Sequence, residues 1–145
     1  MRIHHPVKLC DLERANCREV VALFDTGSTH SFIEEAILAG MPWAKTEPED
    51  VKAGIVGGGP DVHIKTVARL KLDVGDCQWP TTLSFYAMRN LRAPVIIGAR
   101  EMEEMGVRFD MSLDKDKNII VLRNCETPVI ITGIELEGWR RSSHA

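Results

Sequence analysis

Hydrophobic and polar positions alternate over much of the chain with the period of two that half-buried strands show. The clearest case is residues 62–74, where apolar side chains fall mostly at alternate positions. Residues 7–12 and 17–24 form two further extended runs with a turn near residues 14–16. We therefore expect a hairpin near the start of the chain and a fold dominated by strands.

Glycine and proline mark the ends of the other predicted elements. Further strands are predicted at residues 51–56, 79–86, 93–98, 107–110, 118–122 and 129–136. Residues 45–50 are polar and contain Pro48, so we expect a loop there. The glycines at 57–59 indicate the tip of a hairpin.

Two short stretches carry helix signals instead. Ser31 and Glu34 fit a capping box, in which each side chain bonds the other's backbone N–H, and a helix should follow to about residue 39. Gly40 would end it as a left-handed cap. Residues 99–105 are rich in helix formers and precede Gly106. The sum is an all-β domain with two brief helices.

Composition and charge place the chain among globular proteins. Its 145 residues are 44% hydrophobic and 27% charged, which suits a single domain over residues 1–145. The formal net charge of −3 offers no basic surface for nucleic acid. No apolar run is long enough for a membrane span or a signal peptide, so we expect a cytoplasmic protein, or a domain of a longer precursor.

Cysteine and histidine spacing gives no metal signal. The cysteines are Cys10, Cys17, Cys77 and Cys125. Without a Cys-x-x-Cys pair they indicate neither a zinc site nor a disulfide framework, and we expect free, buried thiols. We assign no metal and no cofactor.

One acid stands out because a run of apolar residues, Val20 to Phe24, leads directly into Asp25. Burial of a carboxylate is costly unless hydrogen bonds or a partner charge compensate. A simple turn accounts for many Asp-x-Gly sequences, since both residues are common in turns. The apolar approach to Asp25 favours a chemical role instead.

The order of motifs around Asp25 resembles the retropepsin-like aspartic proteases. The segment ALFDTGSTHSFI is especially similar to the protease domains of retrotransposons and related cellular proteins, and a Gly-rich hairpin, VIIG and VRFD follow it. The likeness covers about residues 20–122. It implies a retropepsin-like acid protease barrel with one lobe per chain and the activity of an aspartic endopeptidase.

That resemblance implies that Asp25 is catalytic. Peptide hydrolysis needs one carboxylate to take a proton from water and another to donate one, and two adjacent carboxylates share a proton. This chain holds a single motif of the form Asp-Thr/Ser-Gly. Asp73-Val74-Gly75 has the same Asp and Gly but no hydroxyl residue between them. We therefore expect a symmetric homodimer in which two copies of Asp25 meet on the twofold axis.

Roles for the residues after Asp25 follow from the same resemblance. Thr26 would bond across the twofold axis, and Gly27 would let the backbone approach the carboxylate closely. Ser28 would donate to the outer oxygen of Asp25 and favour its charged form. Retroviral relatives often pair an Arg with an Asp where this chain has Ala99 and Thr29.

Substrate contacts are also implied by the resemblance. The flap that closes over the peptide would comprise Ile55, Val56, Gly57, Gly58 and Gly59. The pocket would comprise Leu23, Ile96, Ile97 and Gly98. Substrates would be extended polypeptides with apolar residues at the cleaved bond. Residues 3–9 and 129–134 are candidates for a dimer sheet.

Two alternatives remain open. The fold could serve as a catalytically weak or silent module for dimerisation or peptide binding, because fold does not fix chemistry. A metal hydrolase would instead use His30, His63 and Asp61. A phosphate loop at residues 57–59 is disfavoured, because no Lys-Ser/Thr follows.

Overall fold

The computed structural model of the chain describes residues 2–53, 62–109 and 119–133. The strands in these ranges are β1 (Arg2–Cys10), β2 (Cys17–Asp25), β3 (Ser31–Glu34), β4 (Lys45–Ala53), β5 (Val62–Val74), β6 (Cys77–Gln78), β7 (Leu83–Met88), β8 (Val95–Ile97), β9 (Val107–Phe109), β10 (Ile119–Leu122) and β11 (Val129–Thr132). The helices are α1 (Glu35–Ala39) and α2 (Ala99–Glu104). The predicted all-β fold with two short helices is confirmed.

The larger sheet closes on itself. Its strands pair in the order β1-β2-β8-β3-β7-β5-β4, and β1 also pairs with β5 through residues Lys8 to Cys10. This second pairing joins the two ends of the path from β1 to β5 into a barrel, and β4 is left outside as an edge strand. Closure removes free edges from the strands inside the path, β2 and β8 among them.

Strand alternation fills the barrel. In β5 the residues at 68, 70, 72 and 74 are buried and belong to one core cluster, as their period of two predicts. Ile3, Val7 and Leu9 of β1 contribute to the same cluster from the neighbouring strand. The smaller sheet, ordered β11-β10-β9, adds Ile120 and Leu122 to this core.

A glycine follows each helix closely, but only the glycine after α2 has a left-handed backbone conformation. Gly106, two residues after α2, has a φ of +64°, a backbone conformation that glycine adopts without strain. Gly40, after α1, has a φ of −81°, so the left-handed cap expected there is wrong. Its N–H bonds the carbonyl of Ile37 in an ordinary tight turn.

The predicted capping box is also wrong. Residues 31–34 form strand β3, which pairs with β7 on one side and β8 on the other. Glu34 precedes α1 without a side-chain cap, and its N–H bonds the carbonyl of Pro94. Sheet pairing from distant strands therefore overrides the local helix signal.

The loop expected at residues 45–50 belongs instead to β4. This strand is polar because it lies at the edge of the sheet, where side chains meet solvent on more than one side. Its register against β5 shifts between Pro48 and Val51, and proline is tolerated at such edge irregularities because it has no N–H to donate.

All four cysteines form disulfides, so the prediction of free thiols is wrong. Cys10 and Cys17 face each other across the β1–β2 hairpin. Cys77 in β6 is bonded to Cys125, which lies between β10 and β11, and this bond joins the larger sheet to the smaller one. Partners 48 positions apart cannot be recognised from local spacing.

Neither helix approaches the length of a membrane crossing: within residues 2–53, 62–109 and 119–133, no helix is long and apolar enough to span a bilayer.

Candidate active site

Asp25 is the last residue of β2, an inner strand of the larger sheet. This strand lies between β1, with which it runs antiparallel, and β8, with which it runs parallel. Ala22 and Phe24 point into the main core, and alternation places Leu23 and Asp25 together on the opposite face. Only 2% of the Asp25 surface is exposed, so its carboxylate requires polar partners.

Both oxygens of the Asp25 carboxylate have partners within the chain. Oδ1 accepts a hydrogen bond from the backbone N–H of Gly27 at 2.9 Å. Oδ2 accepts one from Nη2 of Arg92 at 2.5 Å, and Nε of Arg2 lies 3.7 Å from the same oxygen. The buried charge is therefore compensated by one backbone donor and two guanidinium groups.

The loop after Asp25 is held by its own backbone. The N–H of Ser28 bonds the Asp25 carbonyl at 3.1 Å, and the Ser28 hydroxyl donates to the carbonyl of His30 at 2.8 Å. The hydroxyl therefore does not bond the Asp25 carboxylate, and the predicted contact is wrong within one chain. Serine hydroxyls commonly bond nearby backbone groups, and here the acceptor is the carbonyl two residues further along the chain. Thr26 and Gly27 are exposed at the tip of this loop.

Gly98 packs against the same loop at a distance that excludes a side chain. A Cβ built at Gly98 would lie 2.3 Å from the His30 carbonyl oxygen and 2.8 Å from that of Ser28. The close approach lets the next residue, Ala99, donate its N–H to the Ser28 carbonyl at 2.7 Å, and Arg100 to that of Thr29 at 3.4 Å. In this chain, backbone hydrogen bonds therefore join the two segments that an Arg–Asp pair often joins in retroviral relatives.

Ser31 ties this contact to helix α2. Its buried hydroxyl accepts the Gly98 N–H at 3.0 Å and donates to the carboxylate of Glu101 at 2.9 Å. The strand that follows the Asp25 loop, the glycine after β8 and the first turn of α2 are therefore joined by one side chain.

The four predicted pocket residues separate into three environments. Leu23 pairs with Ile96 in the β2–β8 register, and both lie on the Asp25 face in a small apolar cluster with Leu91 and Ala93. Ile97 belongs to the main core on the opposite face of the strand, so it does not lie beside Asp25 as a pocket residue was expected to. Alternation explains the difference, since neighbours on a strand face opposite ways. Gly98 serves the loop contact described above.

Arg92 and Glu34 are site residues that the sequence analysis missed. Glu34 is buried, and its carboxylate accepts the backbone N–H groups of Asn90 at 3.0 Å and Leu91 at 2.9 Å. These bonds fix the loop that carries Arg92. One signal was present: a buried Asp25 requires a cation, and Arg92 is a charged residue within a largely apolar run from Leu91 to Gly98.

The predicted flap is described only at its base. Strands β4 and β5 form an antiparallel hairpin whose last described pair is Ala53 and Val62. The predicted flap residues Ile55, Val56, Gly57, Gly58 and Gly59 lie outside the described residues.

The histidines of the metal alternative have separate partners. His63 contacts Asp50 across the β4–β5 hairpin, and His30 packs edge-on against Tyr86 with ring centroids 5.7 Å apart. Asp61 lies outside the described residues. Among the residues that the structure does describe, no group of three or more His, Cys, Asp or Glu side chains could hold a metal ion.

A cleft of about 1160 Å³ lies away from Asp25, between β1, the β5–β6 turn and residues 124–127. Its lining is mostly polar and includes no residue of the apolar cluster beside Asp25. We assign it no part in the candidate active site.

Comparison with known proteins identifies the fold. No protein family model matches the chain, and no curated protein matches it. Among solved structures it is similar to the crystal structure of the retroviral protease-like domain of Ddi1 from Leishmania major, with a TM-score of 0.56 and 13% sequence identity. The match covers 94% of this chain and 98% of that one.

The chain therefore has a retropepsin-like fold, an all-β architecture with two short helices. At 13% identity the likeness concerns the fold alone.

Proposed function

We propose that the protein is an aspartic endopeptidase that acts as a homodimer. The observation that supports this most directly is the Asp25 carboxylate: it is 2% exposed at the end of an inner strand, and its Oδ1 is fixed by the Gly27 N–H. A carboxylate fixed in one place and shielded from solvent suits general acid–base catalysis, which needs a positioned proton donor or acceptor. The exposed Thr26 and Gly27 beside it leave this loop accessible to a second chain.

In the proposed dimer, Asp25 of each subunit contributes one carboxylate to a pair that shares a proton. The ionised member takes a proton from a water molecule, which attacks the peptide carbonyl carbon. The protonated member gives its proton to the carbonyl oxygen, which forms a gem-diol. The member that took the water proton then gives it to the leaving nitrogen as the C–N bond breaks, and the other member takes back a proton from a gem-diol hydroxyl as the carbonyl re-forms. Leu23 and Ile96, on the same face as Asp25, would favour apolar substrate side chains.

Peptide cleavage tests this proposal. A mixed peptide library is incubated between about pH 4 and pH 7 with wild-type protein and with Asp25→Asn, purified in parallel. We expect products from the wild type only, at least about 10³-fold faster than from the variant, which is the scale of general acid and base contributions. Sedimentation should give the mass of two chains, and a pepstatin-type inhibitor should titrate one molecule per two chains. Equal activity in both proteins would refute the proposal.

A second function has its own supporting observation. In the single chain, both oxygens of Asp25 are already bonded, to Gly27 and Arg92, which suits a silent module for dimerisation or peptide binding. A dimer that binds library peptides and cleaves none of them would favour this alternative.

We also propose a cellular environment for the protein from its two disulfides. Disulfides form and persist in oxidising compartments and are rare in the cytosol. The bonds Cys10–Cys17 and Cys77–Cys125 therefore favour an oxidising environment over the cytoplasmic location expected from the sequence.

A further inference from the structure

Arg92 is held at the candidate active site by the backbone on both sides of it. Leu91 and Ala93 are buried in the apolar cluster beside Asp25. The buried carboxylate of Glu34 accepts the N–H groups of Asn90 and Leu91. The Arg92 side chain therefore extends from a loop whose backbone is anchored, and its guanidinium is bonded to Asp25.

In the proposed dimer, the Arg92 guanidinium would lie next to a peptide bound at Asp25. Its Nη2 is 2.5 Å from Oδ2 of Asp25, while 47% of the side chain remains exposed. A water activated by Asp25 lies within hydrogen-bond distance of that carboxylate, about 3 Å, and the scissile peptide lies next to the water. A group that touches Asp25 and is half exposed is therefore within reach of the residues on either side of the cleaved bond.

Positively charged side chains outnumber the single carboxylate at Asp25. Arg2 and Arg92 both face its carboxylate. His4 pairs with Leu23 on the neighbouring strand, and burial lowers the pKa of His4, so it is neutral near pH 7. In a dimer, four arginines would surround two carboxylates that share one proton. Such a cleft attracts anionic side chains and repels cationic ones.

We propose that Arg92 makes the site selective for peptides with an acidic side chain close to the cleaved bond. This proposal rests on the endopeptidase function proposed above. A planar guanidinium binds a carboxylate through two parallel hydrogen bonds, which Lys cannot reproduce. Asp25 keeps its bonds to Gly27 and Arg92, and a Glu or Asp side chain of the substrate binds the exposed part of the same guanidinium.

The test uses short library peptides with an apolar centre, made in two versions that carry either Glu or Gln at the flanking positions. The proteins are wild type, Arg92→Gln, Arg92→Lys and the matched control Arg89→Gln. Arg89 lies on the same loop but is exposed and paired with Glu35 of α1. The readout is kcat/KM for Glu peptides divided by that for Gln peptides.

We expect the wild type to prefer Glu peptides by about 10- to 100-fold, the scale of a hydrogen bond to a charged group. Arg92→Gln should reduce the preference to within about twofold, and Arg92→Lys should retain only part of it, because it keeps the charge and loses the fork. Arg89→Gln should keep the full preference. Equal cleavage of both versions by the wild type, or an unchanged preference in Arg92→Gln, would overturn the proposal.

A binding measurement separates this proposal from the proposed function. Fluorescently labelled Glu and Gln peptides are titrated with Asp25→Asn and with the double variant Asp25→Asn/Arg92→Gln. A Glu preference that disappears in the double variant supports the role of Arg92, even if the wild type cleaves nothing and the endopeptidase function fails. Equal binding of both peptides, or undetectable binding of the Glu peptide, overturns the role of Arg92 whatever the result for cleavage.

Discussion

The buried carboxylate of Glu34 accepts the backbone N–H of Leu91 at 2.9 Å, across 57 positions of the chain. A second bond, from Asn90 to the other oxygen of Glu34, completes the anchor of the loop between β7 and β8. That loop brings Arg92 to Asp25. The organisation of the candidate active site therefore depends on an acid that belongs neither to the Asp-Thr-Gly motif nor to the apolar cluster.

Glu34→Gln tests this anchor. Glutamine keeps the shape but replaces one acceptor oxygen with an NH₂ group, which would face a backbone N–H without bonding it. We expect a loss of about 1–3 kcal/mol in the free energy of unfolding, measured with urea. Glu35→Gln is the matched control, because Glu35 is more exposed and pairs with Arg89 at the surface, where the effect should stay within about 0.5 kcal/mol. Equal stability of the two variants would contradict the anchor.

Gly98→Ala tests the close contact between the glycine after β8 and the Asp25 loop. The new methyl group would meet the backbone carbonyls of His30 and Ser28, which cannot rotate away as a side chain would. We expect a destabilisation of about 1–3 kcal/mol or more in thermal unfolding. The control is Gly133→Ala, where the nearest atom, of Ile3, is 4.0 Å away. If both alanine variants melt like the wild type, the contact is not as tight as described.

The two disulfides should be visible in the mass of the alkylated protein. Without reductant, none of the four cysteines should react with iodoacetamide under denaturing conditions, and after reduction all four should. Loss of the Cys77–Cys125 bond in a double serine variant should lower stability by about 2–4 kcal/mol, because the bond closes a long loop. Alkylation of every cysteine before reduction would show that the bonds are absent.

Asp11 should contribute to the acid sensitivity of the first hairpin. Hydrogen bonds from the side chain of Asn16 and from the backbone N–H groups of residues 15 and 16 lower the pKa of Asp11. A carboxyl with a lowered pKa stabilises the fold fully above its unfolded pKa, about 4, and loses that contribution as pH falls through its folded pKa. The stability difference between wild type and Asp11→Asn should therefore be constant near neutral pH and narrow below about pH 4. A difference that widens as acid is added would reverse the sign and contradict this assignment.

Strand pattern and turn chemistry predicted much of the fold. The run from Val20 into Asp25 forms β2, and the alternation at residues 62–74 forms β5 with the predicted bounds. The helix before Gly106 ends as expected, because a positive φ at this glycine is a local property that sequence can show. These elements were accessible because short-range signals and the final packing agree.

The errors arise where distant partners decide. Residues 31–34 satisfy a helix-capping pattern but pair with β7 and β8, which local sequence does not display. Ile96 and Ile97 stand in a wholly apolar strand without alternation, so the face that each one takes is set by the registers of β8 with its neighbours β2 and β3. Arg92 reaches Asp25 from 67 positions away, and only the need to compensate a buried charge pointed to such a partner.

The bond between Cys77 and Cys125 has a consequence for a protein proposed to be a protease. Any single nick in the chain between these two residues, whether by a contaminating enzyme or by a second copy of the protein itself, leaves fragments that stay covalently attached. Such a molecule would keep its full mass, apart from one added water, and would separate into two bands only on a reducing gel. Intact mass under oxidising conditions is therefore no evidence that the backbone is continuous.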